Sequence, residues 1–578
     1  MGIVHGPQVA EELNRKLLPD NPFIPPKDNS CLINLLPPEL LSCIFEVGTL
    51  DDEFEEEDEM IAQSWNKAHP HRFDKMSEAS MGTSDADINI TGEEDANEEA
   101  SSVMTGSSDT SPPSPPFQII VSHVCRHWRS VAFSTPSLWT YIAVPPCARS
   151  PYEHVSTLLE RSKSLPIDIF IDCEPRDRDE DSVSEDEDED GPSEADLKLL
   201  FALLVPHVHR WRSMEVQVLS YEHMYAFLTA VSDSSVAPAS QLATLQLYHH
   251  DEEEESFSSA NPNLSKHFTL FGGSAPCLKN LALWGVHVDW SQSWLTSASN
   301  LVALDLEYHA EDVRPSWTAF TTILRGAPAL ESLSLRSSGP SGNPAHWVIE
   351  PNPAHTDGDL NDPIQLLKLT DLDLAFHSPA YASGLLRKLH IPALRSLALD
   401  FEDGDYTEFI THLAEPTTTV GPLPANEQPR SLLSGIETLK ISGLPCSDQS
   451  VLTLYGELNI LDGLNLSMDY LSDVFLDLLC MPTRTFVGHN FIWLPRLKTL
   501  FVSGTSGNKI REVVQNRRDA GVPLKSIYVE ESCDVDDDDV EWIKDNVEMF
   551  EFFEGSDDED VVDIIEDMED GNEWSDMD

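Results

Sequence analysis

Positive charge is scarce in this 578-residue chain: 36 lysines and arginines face 101 aspartates and glutamates, for a formal net charge of −65. No basic stripe stands out against so many carboxylates, which argues against nucleic-acid binding. Cysteine is sparse as well. Its nine copies include no Cys-x-x-Cys pair and make an odd total, the usage of reduced thiols in the cytoplasm or nucleus rather than of a disulfide framework. No apolar run reaches membrane-spanning length, and the first residues lack the basic-then-apolar order of a signal peptide.

Catalytic signatures are missing too. Gly-rich segments such as Phe271 to Pro276 and Gly504 to Lys509 do not end in the Gly-Lys-Ser/Thr of a phosphate loop. Neither Gly-x-Ser-x-Gly nor His-Glu-x-x-His occurs. His123, Cys125 and His127 lie close in sequence, but no second cluster completes a tetrahedral metal set. The series Asp186, Asp188, Asp190 and Gly191 opens like a calcium loop, yet Leu197 stands where a bidentate Glu is needed. Together these absences favour a binding protein over an enzyme, with no cofactor and no metal.

What is abundant is acid, and its placement matters. Five runs, at 51–59, 85–99, 177–196, 251–255 and 534–578, hold 54 of the 101 acids and only Arg178 and Lys544 as bases. The rest of the chain carries 47 acids against 34 bases, a net of −13. Like charge at that density repels itself and stays solvated, so the runs are expected as disordered loops and a tail. Ser184 and Ser556, each followed by acids, suit acidophilic kinases. Within the last run, aromatic and aliphatic residues such as Trp542 and Phe550 predict that its first part caps the fold before the chain becomes disordered.

From about residue 205 one pattern keeps returning, Leu-x-x-Leu-x-Leu or a close variant. Ten copies begin at Leu242, Leu278, Leu301, Leu330, Leu369, Leu394, Ile436, Leu461, Leu497 and Leu524, and Trp211/Met214/Val216 is a degenerate earlier one. The steps between copies run from 23 to 42 residues, a period that marks a solenoid with insertions. Pro276, Pro328, Pro392 and Pro495 each precede a copy by two residues, as suits the connection into a strand. Helices are predicted between copies at Phe320 to Pro328, Ser472 to Pro482 and Ile510 to Gly521. The last two leucines of a copy point to one side of a short strand and need cover, so stacked copies predict a parallel sheet on a concave face with helices on the convex one. The pattern resembles leucine-rich repeats. One position departs from that family: the ninth, usually Asn or Cys, here holds His250, Val286, His309, Ser338 and His377 in successive copies, among other residues.

Two fragments about seventy residues apart complete the picture. INLLPPELLSCIFE (Ile33 to Glu46) opens a helix on Pro37 and Pro38 and gathers Leu36, Leu40, Leu41, Ile44 and Phe45 on one side. VSHVCRHWRSVAFSTPSLW repeats Val121, Val124, Cys125, Trp128, Val131 and Ala132 at the spacing of one buried helical stripe. Neither folds alone, and Leu40 and Ile44 are expected to meet Trp128. In order and letters the pair closely resembles the F-box, in particular the F-box-like proteins of mushroom-forming fungi, divided here by an acidic insertion.

The α/β organisation expected is therefore an N-terminal extension (1–32), a small helical F-box module (33–144) split by a disordered insertion (51–116), a linker (145–204), the repeat domain (205–553) and a disordered tail (554–578). The resemblance implies a substrate receptor of a ubiquitin ligase: the F-box binds a Skp1-type adaptor and through it a cullin, while the repeats hold an unknown protein substrate. By motif position Leu36, Pro37, Leu40, Leu41, Ile44, Val124, Cys125, Trp128, Leu138 and Trp139 form the F-box core and adaptor surface. Strand parity gives Trp284, Asp305, Glu307, Arg336, Asp373, Asp400, Lys440, Asn465, Phe501 and Tyr528 as the substrate surface, suited to a ligand of some basic character. The rival reading is a non-catalytic acidic leucine-rich scaffold or histone-binding protein with a vestigial F-box.

Overall fold

The computed structural model describes residues 33, 36–49, 116–146, 148, 150–173, 192–233, 235–249, 256–260, 264, 268–347, 363–416, 430–481, 483–486 and 489–553. The N-terminal extension, nearly all of the 51–116 insertion, most of the 177–196 run, the 251–255 run, His250 and the 554–578 tail, with Ser184 and Ser556, lie outside the described residues. The chain forms two compact units, a small helical one carried mainly by residues up to Thr140 and a larger α/β one carried mainly by the residues from Tyr141 onward.

In the larger unit, fourteen strands make one sheet in which each pairs in parallel with the next in sequence. They are β1 (Tyr141–Val144), β2 (Ile167–Asp172), β3 (Trp211–Val218), β4 (Thr244–His249), β5 (Asn280–Trp284), β6 (Ala303–Glu307) and β7 (Ser332–Arg336). They continue as β8 (Asp371–Ala375), β9 (Ser396–Asp400), β10 (Thr438–Gly443), β11 (Gly463–Ser467), β12 (Thr499–Ser503), β13 (Ser526–Glu530) and β14 (Met549–Phe553). All ten leucine copies land on successive strands β4 to β13, in register: Leu281 pairs with Leu304, Leu304 with Leu333, Leu333 with Leu372. Alternation sends both strand leucines of each copy to one face, where they are buried. The first leucine of each copy is buried as well, in the turn before the strand. Pro276, Pro328, Pro392 and Pro495 all lie in those turns, where a missing N–H costs no ladder bond.

The sheet begins earlier than the leucine pattern predicts. Residues 145–204, expected as a linker, contain β2 and two helices, and β1 falls inside the stretch expected to be helical module. Here Ile142, Val144, Ile169 and Ile171 fill the buried positions that leucines fill later. They are invisible to a search for leucine, although β-branched residues favour strands. At the other end, the acidic stretch before residue 553 supplies a last helix (Asp537–Lys544) and β14, which pairs with β13.

Helices lie against the leucine face and share its core. Several open the same way: Ser193, Ser220, Ser316 and Ser378 each accept a hydrogen bond from a backbone N–H in the first turn of the helix that follows. Each such cap stabilises its helix by about 1 kcal/mol. The expected helices appear as Trp317–Gly326, Val474–Cys480 and Gly507–Asp519. Gly326 is needed for close stacking, because a Cβ there would sit 2.3 Å from the carbonyl oxygen of Thr296.

In the small unit, α1 (residues 38–49), α2 (Phe117–Val124) and α3 (Arg126–Ser134) are followed by the 3-10 turn Pro136–Trp139. The single stripe expected over Val121 to Ala132 is broken. Cys125 is fully extended, and its Sγ accepts from the N–H of Trp128, so it caps α3 rather than continuing α2. Consequently His123 and His127 do not share one helical face.

Candidate interaction surfaces

The helical unit brings its two sequence fragments together. Phe45 of α1 lies against Trp128 of α3, ring centroids 5.1 Å apart. Ser42 Oγ is 2.8 Å from Thr135 Oγ1, and Ser137 Oγ donates to Glu46 Oε1. Gly48 makes room for Phe117, whose ring would stand 2.4 Å from a Cβ at that position. The core is Leu41, Phe45, Val121, Val131, Leu138 and Trp139, with Trp139 Nε1 donating to the Ala132 carbonyl at 3.0 Å.

The expected F-box residues thus divide. Leu41, Leu138 and Trp139 are buried; Leu36, Cys125 and Trp128 are half-buried; Pro37 is exposed. Leu40, Ile44 and Val124 are 51%, 45% and 55% exposed. The meeting of Leu40 and Ile44 with Trp128 is therefore corrected: Phe45, one position on, turns the packed face of α1 by about 100°. Val47, Ile120 and Phe133, which the motif did not single out, are also exposed. Leu40, Ile44 and Val47 form one stripe at i, i+4 and i+7, and Ile120 and Val124 another at i, i+4.

On the sheet, the face opposite the leucines carries most of the other expected residues. Register places Asp305 of β6 beside Ser334 of β7, and Ser334 beside Asp373 of β8. Glu307 stands beside Arg336, whose Nε donates to Asp373 Oδ2 at 2.8 Å. Lys440, Asn465, Phe501 and Tyr528 continue the central row over β10 to β13. Asp400 ends β9 beside Ala375.

Five of these, Trp284, Arg336, Asn465, Phe501 and Tyr528, are less accessible than parity suggests. Trp284 stacks on Tyr308 at 4.5 Å, and Phe501 stacks on Tyr528 at 4.4 Å. All of Trp284, Phe501 and Tyr528 are buried. In a parallel sheet, like-facing neighbours are only about 4.8 Å apart, so adjacent aromatic rings cover one another. Asp305, Glu307, Asp373, Asp400 and Lys440 are half-buried and present polar surface.

Tyr308 and Phe376 are residues near this face that parity did not single out. Each directly follows its strand and adopts positive φ, 47° and 57°. Gly285 and Gly504 occupy the same place after β5 and β12. The left-handed residue turns Tyr308 back to the side of Trp284, against which it stacks, and Phe376 lies 5.8 Å from Tyr308.

The ninth positions explain how such turns are held. His309 places Nε2 2.7 Å from the Val286 carbonyl and Nδ1 2.8 Å from Ser338 Oγ. His377 places Nε2 2.9 Å from the Leu335 carbonyl. Two histidines and a serine do here what a turn-bonding amide would do. Burial holds both imidazoles well below the ordinary histidine range, at about 4. Arg314 closes the same region by donating to the carbonyls of His309 and Ser337, and Tyr381 donates to that of Pro340.

No family model and no curated protein matches this chain. Among the described residues, no group of three or more His, Cys, Asp or Glu is placed to hold a metal ion. No helix among them is long and apolar enough to cross a membrane.

Proposed function

We propose that the chain is a non-catalytic substrate receptor of a cullin-type ubiquitin ligase, in which the helical unit is an F-box that binds a Skp1-type adaptor and the leucine-rich repeats hold the target protein. The observation that carries this reading is the division of the helical unit. Its packed residues suffice for a core, yet Leu40, Ile44 and Val47 on α1 and Ile120 and Val124 on α2 stay exposed. Five large apolar side chains on two helices of so small a unit are a surface awaiting a partner. The long parallel sheet of the larger unit supplies breadth for a protein ligand.

Affinity purification of the tagged chain from cells tests this. Recovery of a Skp1-type adaptor together with a cullin is expected, and a Leu40→Asp/Val124→Asp variant should lose both while keeping its helical signal. Recovery of neither from the wild-type chain, or undiminished recovery with the variant, overturns the assignment.

A further inference from the structure

Residues 256–260, between β4 and β5, lie strapped against the larger unit, and Phe257 and Ser258 anchor them. Phe257 is buried, with ring centroids 4.6 Å from Tyr221 and 3.8 Å from His287. Phe268 lines the same recess beside His287. Asp312, in the turn after β6, holds the backbone of the strap. Its Oδ1 accepts from the N–H of Phe257 at 3.0 Å, and its Oδ2 accepts from both the N–H and the hydroxyl of Ser258. That turn is itself fixed, because Trp290 Nε1 donates to the Val313 carbonyl at 2.8 Å and Arg314 donates to the carbonyls of His309 and Ser337. One carboxylate on a firm turn therefore ties down a buried ring and an exposed serine.

We propose that Ser258 is a phosphorylation site for a kinase that reads acids upstream of its target, and that the phosphate releases the strap. Five consecutive acids at 251–255 put Glu255 three residues before Ser258. This context is the reverse of that at Ser184 and Ser556, where the acids follow the serine. Ser258 is exposed, but its hydroxyl hydrogen is committed to Asp312, so the kinase acts on the undocked strap, a minor state that modification then traps. In the transfer the bond from Ser258 Oγ to the γ-phosphorus of ATP forms, the bond from that phosphorus to its bridging oxygen breaks, ADP leaves, and the hydroxyl proton passes to the kinase's base. The phosphoserine carries a charge of about −2 at neutral pH and no hydroxyl donor. Redocking would press it against the Asp312 carboxylate, with exposed Glu311 adjacent, while Arg314 in the same turn is engaged with carbonyls. Burial of one ring then stands against the loss of bonds to a charged acceptor and an added repulsion, and the charge effects win. Release uncovers the recess of Tyr221, Phe268 and His287. None of this depends on the ligase reading.

The test treats the purified full chain with casein kinase 1 and ATP, maps the phosphate by mass spectrometry, and follows hydrogen exchange of the Phe257 and Ser258 amides. Phosphate is expected on Ser258 and is lost from that peptide in Ser258→Ala. Exchange of the two amides should rise about tenfold in the phosphorylated chain, as their bonds to a charged acceptor break. Asp312→Ala unties the strap without phosphate, so it should raise exchange by itself and speed labelling of Ser258. Asp312→Asn, which keeps the shape of the turn, provides a second arm with a smaller effect of the same sign, and thermal melts confirm that each variant is folded. Label on Ser256 alone, no label on Ser258, or slower labelling of Ser258 in the folded Asp312 variants overturns the assignment of the site. Phosphate on Ser258 with unchanged or slower exchange at Phe257 overturns the release.

Discussion

His309 Nε2 lies 2.7 Å from the carbonyl oxygen of Val286. A carbonyl only accepts, so Nε2 carries the proton and Nδ1 is left to accept from Ser338 Oγ; the ring is neutral and fully used. His377 is fixed in the same way on the Leu335 carbonyl. Both have folded pKa values near 4, against 6.5 when solvated. With the folded value depressed, the unfolded chain binds more protons between pH 6.5 and 4, so stability is complete above pH 6.5 and falls as pH drops to 4. Each ring accounts for about 3 kcal/mol across that window. Arg314, which bonds the His309 carbonyl, disfavours the charged rings further. Melting temperature should fall between pH 6.5 and 5, before most carboxylates titrate, and His377→Gln should flatten that slope. An unchanged melting temperature over that interval would show that the rings are not held neutral by burial.

Stacking between repeats makes a second prediction. Gly326 ends its helix where a methyl group would meet the Thr296 carbonyl oxygen at 2.3 Å. Helix propensity alone would reward Gly326→Ala by up to about 1 kcal/mol. Backbone cannot yield as a flexible side chain can, and forcing extra volume into a packed site costs about 1–3 kcal/mol. The clash should win. Chemical denaturation of the variant is expected to show net loss of stability, and a stabilised variant would mean that the two repeats stand further apart.

How much of this was legible beforehand depended on which residue carried the signal. Leucines at fixed spacing placed β4 to β13, because every copy buries the same side chains in the same register. β1 and β2 escaped because isoleucine and valine do the same work without the repeated letter. The helical unit was legible as two mating fragments, but not the break at Cys125: apolar periodicity cannot register a residue whose sulfur caps the next helix. On the sheet, parity identified Asp305, Glu307 and Asp373 correctly as open-face residues. It missed Tyr308 and Phe376, since parity assumes extended backbone and a left-handed residue breaks the alternation.

The sorting of the helical unit into core and surface can be measured residue by residue. Leu41 is wholly buried and its neighbour Leu40 half exposed. Leu41→Ala should cost about 2–5 kcal/mol through lost burial and a cavity. Leu40→Ala, at the surface, should change stability by no more than about 0.5 kcal/mol. Hydrogen exchange of the α1 amides reports both, and comparable loss of protection in the two variants would place Leu40 in the core.

Arg517 supplies the strongest test of how a charge is tolerated inside the larger unit. Its side chain has no exposed surface. Nη1 and Nη2 donate to the carbonyls of Trp493 and Leu494 at 3.3 and 2.8 Å, and Nε has no partner. Leu494 has positive φ, so the guanidinium bonds the backbone at a sharp bend just ahead of β12. Burial lowers its pKa to about 10, which still leaves it charged at neutral pH. Arg517→Met keeps much of the volume and removes a costly buried charge, but it strips two carbonyls of their donors. An unsatisfied buried polar group costs about 1–3 kcal/mol, and two of them outweigh the relief because Arg517 already gains its compensation from those same carbonyls. The variant should lose about 1–3 kcal/mol and expose the 493–494 bend to proteolysis. If Arg517→Met is as stable as the parent chain and equally resistant to protease, the bend does not depend on the guanidinium.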